Sequence, residues 1–181
     1  YRIKHQDGRW VWVEDRGRAV ERDSAGRVLR MLGTRRDITA RKKRDDEVRL
    51  ASSVFDAGTE GIVILDPEYN ILTINKAFTA LTGYSRREVI GRNVMVKTAN
   101  AEIIRQYQMI RLGIEQKGSW QGEILDIRKN GELYPQWLQI HVVRNELNRI
   151  THIVGFFTDL TARRKAEERL SYLTQYDELT G

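Results

Sequence analysis

The sequence contains no cysteine. That absence excludes disulfides, thiolate nucleophiles and cysteine-bound zinc or iron–sulfur centres, and it fits a reducing compartment. No run approaches the roughly 20 consecutive apolar residues that cross a bilayer, and the first residues read as polar strand, not as a signal peptide. The expectation is a soluble, cytoplasmic segment, with any membrane anchor upstream in a longer parent protein. Histidine is scarce: His5, His141 and His152 fall far apart in strand-like segments, without metal-ligand spacing and with no nucleophile beside them. They are read as structural or surface residues, with no metal site and no catalytic residue in the chain. The glycines stand singly at turns and helix ends, so no phosphate-cradling loop is present.

What is there is ordinary globular composition, with 40% apolar and 31% charged residues and only 2 prolines. The net charge of +6 is local. Arg35, Arg36, Arg41, Lys42, Lys43 and Arg44 form one cluster and Arg163, Arg164 and Lys165 another, each opening a helical segment that soon turns acidic. Mixed-sign helices are usually solvated faces. No aromatic residues interleave the basic runs as stacking platforms, so no nucleic-acid partner is expected.

An internal repeat organises the chain. Asp7-Gly8-Arg9-Trp10 followed by Gly33 to Arg41 recurs as Asn130-Gly131-Glu132-Leu133 followed by Gly155 to Arg163. Gly8 and Gly131 stand 123 positions apart, and Asp37 and Asp159 stand 122 apart. That period is a domain length.

Within the second copy, Ile124 to Arg128 and Tyr134 to Val143 alternate like strands around Asn130-Gly131, a strong hairpin turn, and Ile150 to Leu160 adds a third strand. Upstream, Gly61 to Asp66 and Asn70 to Asn75 flank the turn Asp66-Pro67-Glu68-Tyr69. Between these groups the pattern is helical: Lys76 to Thr82 stopped by Gly83, a short turn from Ser85 to Val89 with Ser85 and Glu88 as a capping pair, and Ala101 to Gln116 closed by Gly118. The order β-β-α-α-α-β-β-β predicts an α+β domain, a five-stranded antiparallel sheet with helices on one face. Two further helices flank it. Thr39 to Ala57 carries Val48, Leu50, Ala51, Val54 and Phe55, and Thr161 to Tyr176 carries Ala162, Ala166, Leu170 and Leu173 in a narrow stripe. Packing on the domain's own sheet is one partner for such stripes; a parallel coil with a second copy is the preferred one.

The ordered segments Asn70 to Phe78, Leu81 to Ser85, Glu88 to Asn93, Gly118 to Glu123 and Arg128 to Gly131 resemble a PAS domain with its PAC motif. The resemblance assigns residues 1–39 to the trailing PAC part of a preceding PAS domain and 40–57 to a linker helix. Residues 58–161 become a complete PAS domain and 162–175 a connecting signalling helix. Tyr176 to Gly181 resembles the opening of a GGDEF domain. The implied parent is a bacterial diguanylate cyclase, with a phosphodiesterase domain as an optional addition, in which this module senses or dimerises and relays a signal to cyclic di-GMP synthesis. A constitutive dimerisation scaffold without ligand and a non-covalent FAD redox sensor are the alternatives. The implied partners are a second copy of the chain, its own GGDEF domain and an optional small molecule.

For cofactors, the resemblance argues by departures. LOV-type flavin domains place a reactive Cys after the Gly-Arg-Asn that stands here as Gly91 to Asn93, and this chain has Val94 there. Their flavin-facing polar residues align with Asp126, Gln136 and Phe157, the last unable to hydrogen-bond. Haem-binding relatives supply an axial His from the long helix, which has none here. On that basis LOV-type FMN and haem are set aside, Trp120-Gln121-Gly122-Glu123 leaves FAD open, and a ligand-free core is the default. The candidate pocket residues are Ile64, Asn75, Phe78, Trp120, Gln136, Trp137, Val154 and Phe156. Asp159 and Thr161 resemble the D-x-T motif that ends PAS domains and, with Leu170 and Leu173, are the candidate signal relay.

Overall fold

In the computed structural model, residues 1–94 and 100–177 are described, their side chains through residue 172. The chain divides into two compact units, Tyr1–Val54 and Phe55–Gly181. In the first, β1 (Arg2–Lys4), β2 (Trp10–Arg22) and β3 (Val28–Asp37) form an antiparallel sheet in that order. A helix, α1 (Thr39–Ala57), follows β3 directly.

The second unit holds β4 (Gly61–Leu65), β5 (Ile71–Ile74), α2 (Lys76–Thr82), α3 (Arg86–Val89), α4 (Ala101–Lys117), β6 (Ser119–Ile127), β7 (Leu133–Arg144), β8 (Ile150–Asp159) and α5 (Thr161–Asp177). Its five antiparallel strands run in the order β5-β4-β8-β7-β6. This is the α+β architecture that the order of elements predicts. Local chemistry explains the joints. The Asp66 carboxylate accepts from the Asn70 backbone N–H at 2.8 Å and side-chain amide at 2.9 Å, closing the β4–β5 turn. Asn75 caps α2, accepting from Phe78 N at 2.8 Å, and Asn100 caps α4. Ser85 and Glu88 form the predicted capping pair, the Glu88 carboxylate accepting from Ser85 N at 2.9 Å. Gly118 ends α4 at φ 73°, a left-handed conformation that favours glycine. One boundary differs from the sequence reading: β6 begins at Ser119, not near Ile124, because Trp120 to Glu123 continue the ladder with Ile140 to Trp137.

The core lies between one face of the sheet and the helices. Ile103, Tyr107, Ile110 and Ile114 of α4 bury a stripe at helical spacing against Val63, Leu138, Ile140, Ile153 and Phe157. Each such side chain contributes about 1.5–3 kcal/mol on burial. No helix among the described residues is long and apolar enough to cross a membrane.

Candidate ligand pocket and output junction

The core of the second unit encloses a cavity of about 50 Å³, walled mainly by Val63, Phe78, Ile110, Leu138, Ile153 and Phe157. At roughly 10–15 Å³ per water, it has room for a few waters. Its polar wall is a closed network. The Tyr107 hydroxyl donates to Asp126 Oδ2 at 3.1 Å, the Gln136 amide donates to the same oxygen at 3.3 Å, and the Tyr134 hydroxyl donates to Gln136 Oε1 at 3.0 Å. Asp126 Oδ1 accepts from the Ile127 N–H at 2.8 Å. Asp126 and Gln136 are buried. Burial pushes the Tyr107 and Tyr134 phenols up, and the nearby Asp126 carboxylate adds to the shift, so both remain donors at neutral pH.

Of the pocket candidates read from sequence, the structure places Phe78 and Gln136 on this wall. Ile64, Trp137, Val154 and Phe156 lie on the opposite face of the sheet, where Ile64 pairs with Val154 and Trp137 with Thr158. Their neighbours of the other parity, Val63, Leu138, Ile153 and Phe157, are the buried ones. Asn75 is buried but spent on structure, accepting from Ile62 N and Phe78 N and donating to Glu60 O. Trp120 packs at the edge of the core over Gly113 of α4 and lines an outer groove instead. Tyr107 and Tyr134 were missing from the candidates, and Asp126 entered only through its alignment with the flavin-facing residues of LOV-type domains. Their signal was polarity or hydroxyls at core parity in strands and on the apolar stripe of α4.

At the end of β8, Arg128 and Asp159 form an ion pair with side chains only 15% and 19% exposed. Arg128 also donates to the Leu81 carbonyl, lies 3.3 Å from Glu132 and stacks 3.9 Å over the Tyr134 ring. Asp159 Oδ1 accepts from Thr161 N at 2.7 Å, which starts α5. Burial by itself would raise the Asp159 carboxyl; the hydrogen bonds it accepts from the Arg128 guanidinium and the Thr161 amide outweigh that and hold it below the usual range. Across the sheet, Gln136 pairs with Asp159. The pocket wall and the start of the last helix are therefore adjacent rungs of one ladder. Leu170 is 64% exposed, while the Leu173 side chain and the Tyr176 to Gly181 motif lie outside the described side chains.

A five-stranded sheet that closes an interior pocket with helices, and hands its last strand directly to an emerging helix, defines the class of small sensory domains. The PAS domain model matches residues 59–162, and a second model described as the PAS fold matches residues 1–35. The chain belongs to the PAS domain family. It is 31% identical over 125 residues to a blue-light-activated histidine kinase of Rhizobium johnstonii, covering 67% of this chain and 36% of that protein. It is 30% identical over 159 residues to blue-light-activated histidine kinase 1 of Erythrobacter litoralis, covering 83% of this chain and 44% of that protein. The structure of an RNA-binding light-oxygen-voltage receptor matches with TM-score 0.60 and 26% identity, over 72% of this chain and 38% of the other. This chain thus spans less than half the length of these curated relatives.

These relatives overturn the cofactor expectation. A ligand-free core with LOV-type FMN set aside does not stand when the matches are blue-light and light-oxygen-voltage proteins. The missing thiol at Val94 weighed too heavily, because it bears on covalent attachment and not on binding. The pocket sets the terms for a flavin. Asp126 and Gln136 are the polar groups able to meet a ring edge, the Tyr107 and Tyr134 hydroxyls that now occupy them would give way, and the cavity of about 50 Å³ would widen. With no cysteine in the chain, no cysteinyl bond to such a ligand could form.

Proposed function

We propose that the second unit is a PAS sensory module that takes a flavin-class ligand without a covalent bond and relays its state through α5 to an output domain. The observation that carries the reading is the Gln136–Asp159 rung, which sets a pocket residue opposite the carboxylate that caps α5. A ligand that draws Gln136 or Asp126 away from the tyrosines changes the strand that holds the cap. Residues 1–39 read as the trailing part of a preceding PAS domain, 40–57 as a linker helix, 58–161 as the sensing domain and 162–175 as the connector. The Tyr176 to Gly181 motif supports a diguanylate cyclase as the output. Val48, Val54 and Leu170, each more than 60% exposed, support self-association through the flanking helices, which brings two outputs together.

Two measurements test this. Purified protein should show flavin absorbance, endogenous or after adding FMN or FAD, and denaturation should release all of it into solution. A colourless protein whose melting temperature is unmoved by either flavin overturns the ligand. In the full-length protein, replacing Asp159 and Thr161 together by Ala should change cyclic di-GMP production while the PAS core stays folded. Unchanged regulation overturns the relay, and a parent that makes no cyclic di-GMP in any state overturns the output.

A further inference from the structure

The two copies of the repeat offer an internal comparison of how a sheet is tied to the helix that leaves it. Asp37 Oδ1 accepts from Thr39 N at 2.8 Å, and Asp159 Oδ1 accepts from Thr161 N at 2.7 Å. Ile38 N donates to the Trp12 carbonyl and Leu160 N to the Pro135 carbonyl, both at 2.9 Å. The first helical bonds, Lys42 N to Ile38 O and Arg164 N to Leu160 O, are also both 2.9 Å. The joints match at each of these backbone positions.

They differ at one. In the first unit the Trp12 N–H donates to Thr39 Oγ1 at 2.9 Å, pinning the first residue of α1 to β2. The counterpart of Trp12 is Pro135, which has no N–H to give. Thr161 Oγ1 is accordingly buried without a hydrogen-bond partner, the one such side-chain atom among the described residues. Its hydroxyl lies beside the Asp159 carboxylate, yet its lone pairs meet no donor. Proline is tolerated here because position 135 lies just past the last β7–β8 pair, Gln136 with Asp159, and because its carbonyl accepts from Leu160 N, so its backbone faces β8 and the pairing with Leu125 of β6 needs no N–H from it. A second exchange accompanies the first: Arg128 stands where the first copy has His5, and its ion pair to Asp159 is the side-chain bond that holds this joint.

We propose that Pro135 is a positioning residue that makes the start of α5 releasable, by denying Thr161 the backbone donor that Thr39 receives. A fixed neutral tether is replaced by a side-chain ion pair, which a shift of Arg128 or Asp159 can break. The inference deepens the relay reading, since it takes α5 as the output element.

Hydrogen exchange on the whole chain tests it. Pro135→Ala restores the donor and should slow exchange of the Arg164, Lys165 and Ala166 amides about fivefold, the worth of one neutral hydrogen bond of about 1 kcal/mol. Pro135→Val should do the same. Thr161→Val alone should leave the rate close to wild type, and Pro135→Ala with Thr161→Val should return to it. In the first unit, Thr39→Val should speed exchange at Lys42 to Arg44 by a similar factor. Unchanged or faster exchange in both Pro135 variants overturns the proposal, as does slowing that persists in the double variant, because the gain would then come from losing the proline ring. Silence of Thr39→Val overturns its premise. None of these rates depends on cyclase output, so the relay can fail while this holds, and the reverse.

Discussion

Arg128→Met should destabilise the second unit by about 1–3 kcal/mol, between the values for an exposed and a fully buried ion pair, because both side chains are partly buried. Arg128 and Asp159 are 15% and 19% exposed, and methionine keeps the apolar stem while leaving the Asp159 carboxylate and the Leu81 carbonyl without their donor. The Tyr134 ring loses its cation as well. Chemical denaturation measures the effect, and a cost below about 1 kcal/mol would mean that the pair behaves like an exposed one. The pH dependence carries its own sign. The Asp159 carboxyl titrates below its ordinary value in the folded state, so its contribution is fully present above the unfolded carboxylate pKa, about 3.9, and is lost as pH falls through the depressed folded value. Wild type should lose stability over that acid window, and Arg128→Met should lose less, having less of a shift to lose.

Gly61→Ala should cost about 1–3 kcal/mol by overpacking and should also abolish ligand uptake. A Cβ at Gly61 would lie 2.2 Å from Cζ of Phe157, its cross-strand partner. The ring cannot yield toward Phe78, which it meets edge-on at 5.6 Å. The free space beside it is the pocket that it lines, so accommodating the methyl means pushing the ring into that cavity. Thermal melts and ligand titration read the two effects, and Gly61→Ala combined with Phe157→Leu should recover much of the stability. A neutral Gly61→Ala would show that the ring does not fill that space.

How much of this was legible in the sequence varies by residue. Asn75, Ser85 with Glu88, and Asn130-Gly131 act through neighbours a few positions away, so caps and turns could be read directly. Gln136 and Asp126 stood out through their alignment with the flavin-facing residues of LOV-type domains, and their burial became visible only once the strands were paired. Trp137 and Phe156 looked like pocket lining because they are large and apolar, yet both point away from it. The cofactor reading failed for a different reason, since one missing side chain excludes one bond and not a ligand.

The sequence by itself determined the family and the 122-residue repeat, which are patterns of residue order, and the order of strands and helices with the chemistry of the caps, which rest on contacts local along the chain. Only the tertiary structure decided which face of the sheet looks inward. Ile62, Val63, Ile64 and Leu65 are all apolar, so period two offered no contrast, and packing of α4 against Val63 and its neighbours made the choice. Cross-strand register decided the rest: it set Gln136 opposite Asp159, and it set a proline where Thr161 needed a donor.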